Sequence, residues 1–459
     1  MSEYSTLNVS RRFKPYPAYK DSGVEWLGEI PVGWDAKRLK LVTARTLRAA
    51  ELSVLAPDTE VSFVPMEAVG EHGGLDLSRV EILTDVAKGY TYFRDGDVVI
   101  AKITPCFENG KGALAIGLMN GIGFGTTELH VLRTTPAMDS RFLFYITMSD
   151  AFRRLGAAEM YGAGGQKRVP ESFIDNLRHS LPPYSEQRAI ATYLDRETAR
   201  IDALVAKKQR LIELLQEQRT ALITRAVTKG LDPKVSMKDS GVEWLGEIPA
   251  HWELRRLRST LTSCQNGVWG DEPDGVHDVV CVRVADFDRV RFRVDIADPT
   301  LRSIDPGVVV ARGLRPGNLL LEKSGGGENQ PVGAVVLYDH TTLAVCSNFV
   351  ARVAIAESHD ARFLTYLHAA LYALRVNTRH IKQSTGIQNL DSASYLSEST
   401  GLPPEPEQRA IATYLDRETT RIDTLVAKTR DAITHLKELR TALISAAVTG
   451  KIDVREEVA

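Results

Sequence analysis

Apolar positions fall into two rhythms along this chain, and each rhythm occurs twice. After Glu186, Leu194, Ile201, Leu215 and Leu222 recur at one heptad position, with Leu204 and Leu211 at another; after Glu407, Leu415, Ile422, Leu436 and Leu443 recur with Leu425 and Leu439. A three-four spacing held over several heptads predicts a long helix with one apolar seam, as in a coiled coil. Lys208 and Thr429 interrupt the two seams at the same point, an arrangement that fixes register at some cost in stability. Pro182-Pro183 and Pro403-Pro404 bar helix upstream, Ser185 suits a cap, Glu186 and Glu407 suit the first turn, and Gly230 and Gly450 suit the ends. At roughly 40 residues and 1.5 Å per residue, each helix would be about 60 Å long. One apolar stripe needs a partner, either the equivalent helix in the same chain or another subunit; packing within the chain is expected.

The second rhythm is that of short β-branched runs bounded by Gly, Asp and Pro: VSFVPMEAV, DVVIAKI, ELHVLR, VVCVRVADF, NLLLEK, GAVVLY and NFVARVAI. These predict strands. SRFLFYITMSDAFRRLGAA and ARFLTYLHAALYALRV have helical spacing instead. The fold class is therefore mixed α/β with strand-rich modules, joined by two long helices.

Both rhythms repeat because the chain is two copies of one unit. KDSGVEWLGEIP at Lys20–Pro31 returns unchanged at Lys238–Pro249, an offset of 218, and EQRAIATYLDRET at Glu186–Thr198 returns at Glu407–Thr419, an offset of 221. Such internal periods take precedence over residue-level reading. The intervening regions, about Leu41–Ser180 and Ser259–Gly401, have diverged, yet an offset of 221 sets GDVVIAK against GNLLLEK and RFLFY against RFLTY. Drift alone would not spare the framework and rewrite the modules, so the two modules are expected to read different things from one scaffold. The predicted boundaries are an amino-terminal tail over 1–19, modules over 20–180 and 238–401, helices over 181–230 and 402–451, a linker over 231–237 and a tail over 452–459.

The length of 459 residues suits about three domains or repeated units. With 43% hydrophobic and 25% charged residues the composition is that of a soluble globular protein. No apolar run nears the roughly 20 residues of a membrane span, and the amino terminus lacks a secretory pattern, so no membrane partner and a cytoplasmic location are expected. Cys106, Cys264, Cys281 and Cys346 lack metal-ligand spacing and read as reduced thiols. A net charge of −2 gives no global reason to bind nucleic acid, so any basic contact must be localised.

Catalytic signatures are missing. SLPPYSEQ has Leu181 where an amino-methylating enzyme has Asp, Asn or Ser before Pro-Pro-aromatic, and GLPPEPEQ lacks the aromatic as well. There is no GxxxxGK[ST], no GxGxxG after a strand, no HExxH and no histidine–cysteine cluster. Asp286 and Asp288 read as solvated charges. No catalytic residue, metal ligand or bound cofactor is expected.

Polar, glycine-bearing loops remain, at corresponding places in the two modules. KITPCFENGK supplies Lys102, Asn109 and Lys111, and GAGGQKR supplies Gln166, Lys167 and Arg168; KSGGGENQ supplies Lys323, Asn329 and Gln330, and KQSTGIQN supplies Lys382, Gln383, Gln388 and Asn389. Gln and Asn suit adenine edges, Arg and Lys suit guanine, and glycine permits close approach to phosphate.

The paired GVEWLGEIPxxW segments, the LPPxxEQRAIATYLDRET openings, GDVVIAKITPCFENGK and GGQKRV together resemble the specificity subunits of type I restriction–modification systems over nearly the whole chain. The resemblance implies two target-recognition domains held apart by an antiparallel helix pair, each reading half of a split double-stranded DNA target. It further implies that Glu186–Ala226 and Glu407–Ala447 are spacer helices docking two methyltransferase subunits. Those subunits carry S-adenosylmethionine, and a motor/nuclease (restriction) subunit uses ATP and Mg. Module 2 has Ser-Gly-Gly-Gly where module 1 has Thr-Pro-Cys-Phe, so the shape of its contact loop is expected to differ. Two readers on a rigid spacer recognise short sites a fixed distance apart, on one DNA face if separated by about one turn, roughly 34 Å. Two other classes compete: a coiled-coil adaptor presenting two protein-binding modules, and a stand-alone methyltransferase or nuclease, which the missing motifs disfavour.

Overall fold

The computed structural model describes residues 13–44, 48–163, 165–384 and 386–458. Two long helices, Tyr184–Lys229 and Glu405–Val448, follow the two mixed α/β modules. The compact units are Met1–Gln209 with Arg430–Ala459, and Arg210–Thr429. They divide the chain inside both long helices rather than at helix ends, where the sequence boundaries were drawn. Each unit thus holds one module, the first half of that module's own helix and the last half of the other.

In unit 1, Glu60–Val64 pairs parallel with Ile122–Gly125, flanked by Val80–Ile82 and Thr91–Arg94; a second sheet runs Thr43–Ala44, Leu129–Thr134, Val98–Ala101, Gly112–Leu114. In unit 2 the equivalent parallel pair is Asp278–Val282 with Ala344–Cys346, and Asn318–Glu322 lies antiparallel to Val350–Ile355 as Val98–Ala101 does to Leu129–Thr134. Diverged sequences thus keep a common core of pairings, while the sheet of Asn318–Glu322 in unit 2 gains Arg293–Val294 and Phe287–Asp288 and the sheet of its parallel pair has three strands. The central strands VVIA and LLLE are buried on both faces, which is why they read as continuous apolar runs. VSFVPMEAV ends as a strand at Val64 because Pro65, without an N–H, starts a 3-10 turn over Met66–Ala68. SRFLFYITMSDAFRRLGAA forms two helices, Ser140–Met148 and Asp150–Ala158; extended Ser149 separates them and caps the second through Phe152 N. Ala361–Ala373 stays single.

The long helix in unit 1 starts at Tyr184, so Ser185 lies in its first turn and is not the residue before it; the Pro183 carbonyl accepts from Glu186 N and Gln187 N. The repeated letters of this opening are those that hold the module. Buried Gln187 accepts from Asp139 N (2.8 Å) and donates to Ala137 O (3.0 Å) and Pro182 O (2.9 Å). Asp195 accepts from Arg141 (2.9 Å) and Tyr145 (2.7 Å). Unit 2 repeats both devices: Gln408 accepts from Asp360 N (3.0 Å), and Asp416 accepts from Arg362 (2.9 Å) and Tyr366 (2.8 Å). Glu186 takes the Tyr16 hydroxyl (2.7 Å), and Glu407 takes the Trp252 indole N–H (3.1 Å).

One predicted seam position is buried and the other is not. Leu194, Ile201, Leu215, Leu415, Ile422 and Leu443 are buried, with Leu222 and Leu436 partly so. Leu204, Leu211, Leu425 and Leu439 are 37–44% exposed, a correction to their assignment as seam residues. The second position lies one residue later, at Thr198, Val205, Ile212, Arg219 and Ala226, and at Thr419, Val426, Ile433, Arg440 and Ala447. The leucines that look most like a seam sit on its flank. In unit 1, Leu194, Ile201 and Val205 join one core with Leu436 and Leu443; in unit 2, Leu222, Ile223 and Ala226 join Ile411 and Leu415.

An arginine holds the helix pairing in each unit. Arg440, 7% exposed at its side chain, pairs with Asp202 (3.0 Å) and donates to the His72 carbonyl (2.9 Å). In unit 2, Arg219 pairs with Asp423 (3.3 Å), donates to the Val290 carbonyl and lies 4.8 Å from the Phe292 ring centroid. Both pairs follow the 221 offset, since Asp202 corresponds to Asp423 and Arg219 to Arg440.

The segments drawn as tails are packed from residue 13 onward. Ile452 and Val454 are fully buried, Asp453 N donates to Lys14 O (2.9 Å) and Lys14 meets Glu456 (2.9 Å). Gly450 ends the second long helix at φ 72°, where a Cβ would lie 2.5 Å from Pro31 Cδ, so glycine answers both the left-handed backbone and the close approach. Residues 1–12 of the predicted tail lie outside the described residues.

Two buried histidines give the fold an acid limit. Burial pushes His179 and His368 down to about 4 from 6.5. The unfolded chain takes up these protons as pH falls through 6.5, whereas the folded chain does so only near 4. The contribution of these two rings to stability is therefore constant above the upper value and lost progressively down to the lower one, by about 3 kcal/mol per histidine. Urea midpoints measured from pH 7 to 4.5 should fall accordingly; a flat profile would contradict the burial of both rings in neutral form.

Candidate nucleic-acid interface

The four predicted loops come together in pairs. In unit 1, Thr104 N donates to Lys167 O (2.9 Å), Thr104 Oγ1 donates to Gly165 O (2.7 Å), and Ile103 bridges Arg168. In unit 2, Ser324–Gly325 pairs with Asn389 and Gln388, and Ile381–Ser384 pairs with Ile387–Leu390. Each loop after a central strand thus meets a later hairpin with glycine near its tip, Gly165 (φ 79°) or Gly386 (φ 86°).

The side chains differ in freedom. Gln166, Lys167, Asn329, Gln330 and Gln383 are exposed. Lys102 is half-buried. Asn109 reaches Glu71 (3.4 Å), and Lys111 donates to the Met66 carbonyl (2.8 Å), a structural role. Arg168 binds Glu128 through two bonds (2.9 and 2.8 Å), which hold the Glu128 carboxyl below its usual range. Lys323 donates to Asn266 (2.6 Å) and Lys382 to Asp391 (2.8 Å); Gln388 accepts from Val332 N (3.1 Å) and Asn389 from Ser324 (2.6 Å).

Two positions beside these loops were outside the predicted set. Glu128 and Phe349 precede equivalent strands, and their carbonyls accept from Lys102 N (2.9 Å) and Lys323 N (2.8 Å). Phe349 is 51% exposed among polar groups. The signal available in the sequence was the offset itself, which sets Glu128 opposite Phe349. A neighbouring cleft of about 1070 Å³ is walled by Lys40, Tyr92, Lys102, His130, Glu171 and Asp175. In it the carboxylates of Glu171 and Asp175 line the same cleft as the ammonium groups of Lys40 and Lys102.

Glu322, fully buried beside Lys323, accepts from Arg289 (2.8 Å), and burial pushes its carboxyl up. Its position in a strand core, with guanidinium and backbone partners, is structural. Among the described residues no group of His, Cys, Asp and Glu is placed to hold a metal, and no helix is long and apolar enough to cross a membrane.

No family profile matches the chain. The EcoAI type I restriction enzyme specificity subunit of Escherichia coli is 38% identical over 182 residues, covering 39% of this chain and 30% of that relative's own length. The EcoEI specificity subunit of Escherichia coli gives 37% over 183 residues with the same coverage. The MjaVIII specificity subunit of Methanocaldococcus jannaschii is 24% identical over 341 residues, 72% of this chain and 74% of the relative. A solved chain described under "complex assembly and conformational transition of the type I R-M system" has a TM-score of 0.70 at 19% identity, covering 91% of this chain and 98% of its own. The HsdS subunit from Thermoanaerobacter tengcongensis gives 0.53 at 19% identity, covering 92% and 98%. The chain is thus similar, over 39% of its own length and less than a third of theirs, to two type I restriction enzyme specificity subunits, and it shares the fold of the solved type I R-M and HsdS chains.

Proposed function

We propose that this chain is the non-catalytic DNA sequence-specificity subunit of a type I restriction–modification complex. Each module reads one half of a bipartite double-stranded target, while the paired helices set the spacing and dock two methyltransferase subunits and, through them, the restriction subunit. S-adenosylmethionine belongs to the methyltransferases and ATP with Mg to the motor. The observation that carries this reading is one loop-and-hairpin frame built twice with different exposed side chains: a shared frame gives both modules one way of meeting a duplex, and the exchanged side chains give each its own sequence. Docking on the helices is supported by Leu204 and Leu425, equivalent residues left 38% and 44% exposed beside the seam, apolar surface that a partner helix would cover.

The test is adenine-methylation mapping by single-molecule sequencing in a methylation-free host that expresses the chain with the methyltransferase encoded beside it. A single split motif, absent when the chain is omitted, is the expected result. Methylation of the same sites without the chain would reject the reading in favour of an adaptor. A seven-residue insertion within one long helix should alter the gap or abolish assembly while both half-site sequences stay the same.

A further inference from the structure

Superposing the two frames by the 221 offset separates what the modules share from what they have exchanged. In unit 1, Lys102 N donates to Glu128 O (2.9 Å) and Lys102 O accepts from Val169 N (2.8 Å); in unit 2, Lys323 N donates to Phe349 O (2.8 Å) and Lys323 O accepts from Leu390 N (2.8 Å). The bridge Ile103–Arg168 corresponds to Ser324–Asn389, and the contact of Thr104 with Lys167 to the pairing of Gly325 with Gln388. Both backbone bonds of the lysine and the pairing beside it are retained. Lysine stays at 102 and 323, and glycine at the hairpin tip. The side chains around them have changed class: Glu128 for Phe349, Gln166 for Ile387, Arg168 for Asn389.

A part common to two readers of different sequences carries no sequence information, whereas the exchanged part does. Resting on the DNA-reading function above, we propose that Lys102 and Lys323 are phosphate anchors and that the exchanged positions are the specificity determinants, with opposite chemistry in the two modules. In module 1 the Glu128 carboxylate holds Arg168 by Nε and Nη2, which fixes the guanidinium plane and leaves Nη1 for a base edge; a pre-oriented guanidinium matches guanine O6 and N7. In module 2, Phe349 and Ile387, 51% and 55% exposed, offer apolar contact to a thymine methyl. Asn389, whose Oδ1 accepts from Ser324, keeps its amide N–H₂ as a donor. The half-site of module 1 is thus expected to contain a guanine read by Arg168, and that of module 2 an A·T pair at the equivalent place.

The experiment is the same methylation mapping with the full chain and its methyltransferase, run on wild type, Arg168→Lys, Phe349→Ala and Lys102→Ala. Arg168→Lys retains the charge opposite Glu128 but not the planar fork. It should relax one guanine position in one half-site, with roughly a 10- to 100-fold loss of discrimination there, and leave the other half-site unchanged. Phe349→Ala should relax one A·T position in the other half-site. Lys102→Ala should lower methylation at every site without altering the motif. Thermal melts matching wild type exclude misfolding, since these side chains are partly or largely exposed. An unchanged motif in both Arg168→Lys and Phe349→Ala, or a changed motif in Lys102→Ala, overturns this division of roles while wild type still gives a split motif. Absence of any chain-dependent motif in wild type instead defeats the underlying DNA-reading function.

Discussion

Replacing Gln187 with leucine should destabilise unit 1 by about 3–5 kcal/mol, far more than the similar size of the two side chains suggests. The amide is 1% exposed and answers three backbone groups, Asp139 N, Ala137 O and Pro182 O. Leucine answers none of them, and an unpaired buried polar group costs about 1–3 kcal/mol. The damage is local, because Asp139 also caps the helix beginning at Ser140. Urea denaturation followed by amide hydrogen exchange should show protection lost over residues 139–148, with unit 2 unaffected. Gln408→Leu should produce the mirror result at Asp360 and Pro403. A cost below about 1 kcal/mol would mean that water replaces the amide, and that the retention of this glutamine in both copies has another cause.

The second large effect is electrostatic. Arg440→Glu places a carboxylate beside Asp202 at a position 7% exposed and removes the donor to His72 O. The expected loss is about 3 kcal/mol, below the upper range for buried pairs because Asp202 is 47% exposed and partly screened. Adding Asp202→Arg restores the pair with its polarity reversed and should recover about 1 kcal/mol, though not the bond to the carbonyl. A double-mutant cycle from urea midpoints measures the recovery. If the two single changes simply add, the short distance is a contact without coupling energy.

The repeated framework was legible because its letters are its contacts: Gln187, Asp195 and Thr198 return as Gln408, Asp416 and Thr419, each bound to its own module. The second seam position was not, because Thr198 and Arg219 interrupt the apolar series of Val205, Ile212 and Ala226, while Leu204 and Leu211 stand one residue away. A pattern search assigns arginine to the solvent face, and Arg219 and Arg440 become internal only because each finds a carboxylate and a carbonyl across the unit. The candidate loops were legible as compositions of glycine with polar residues. Their pairing was not, since Thr104 and Lys167 are brought together by strands and helices lying between them. Glu128 and Phe349 carry no local mark at all; they gain meaning only when the two copies are compared position by position.

The discontinuity of unit 1 has a consequence for biosynthesis. Unit 2 is one continuous stretch, Arg210–Thr429, whereas unit 1 needs Arg430–Ala459 in addition to its opening residues. The half translated first is therefore completed last: at roughly 5–20 residues per second, its missing strip emerges some 2–6 s after unit 2 is whole. Until then the surface awaiting Leu443, Ile444, Val448 and Ile452, all nearly or fully buried in the finished fold, stays uncovered on the nascent chain. A premature stop near residue 430 would accordingly spare the later-made half and ruin the earlier one.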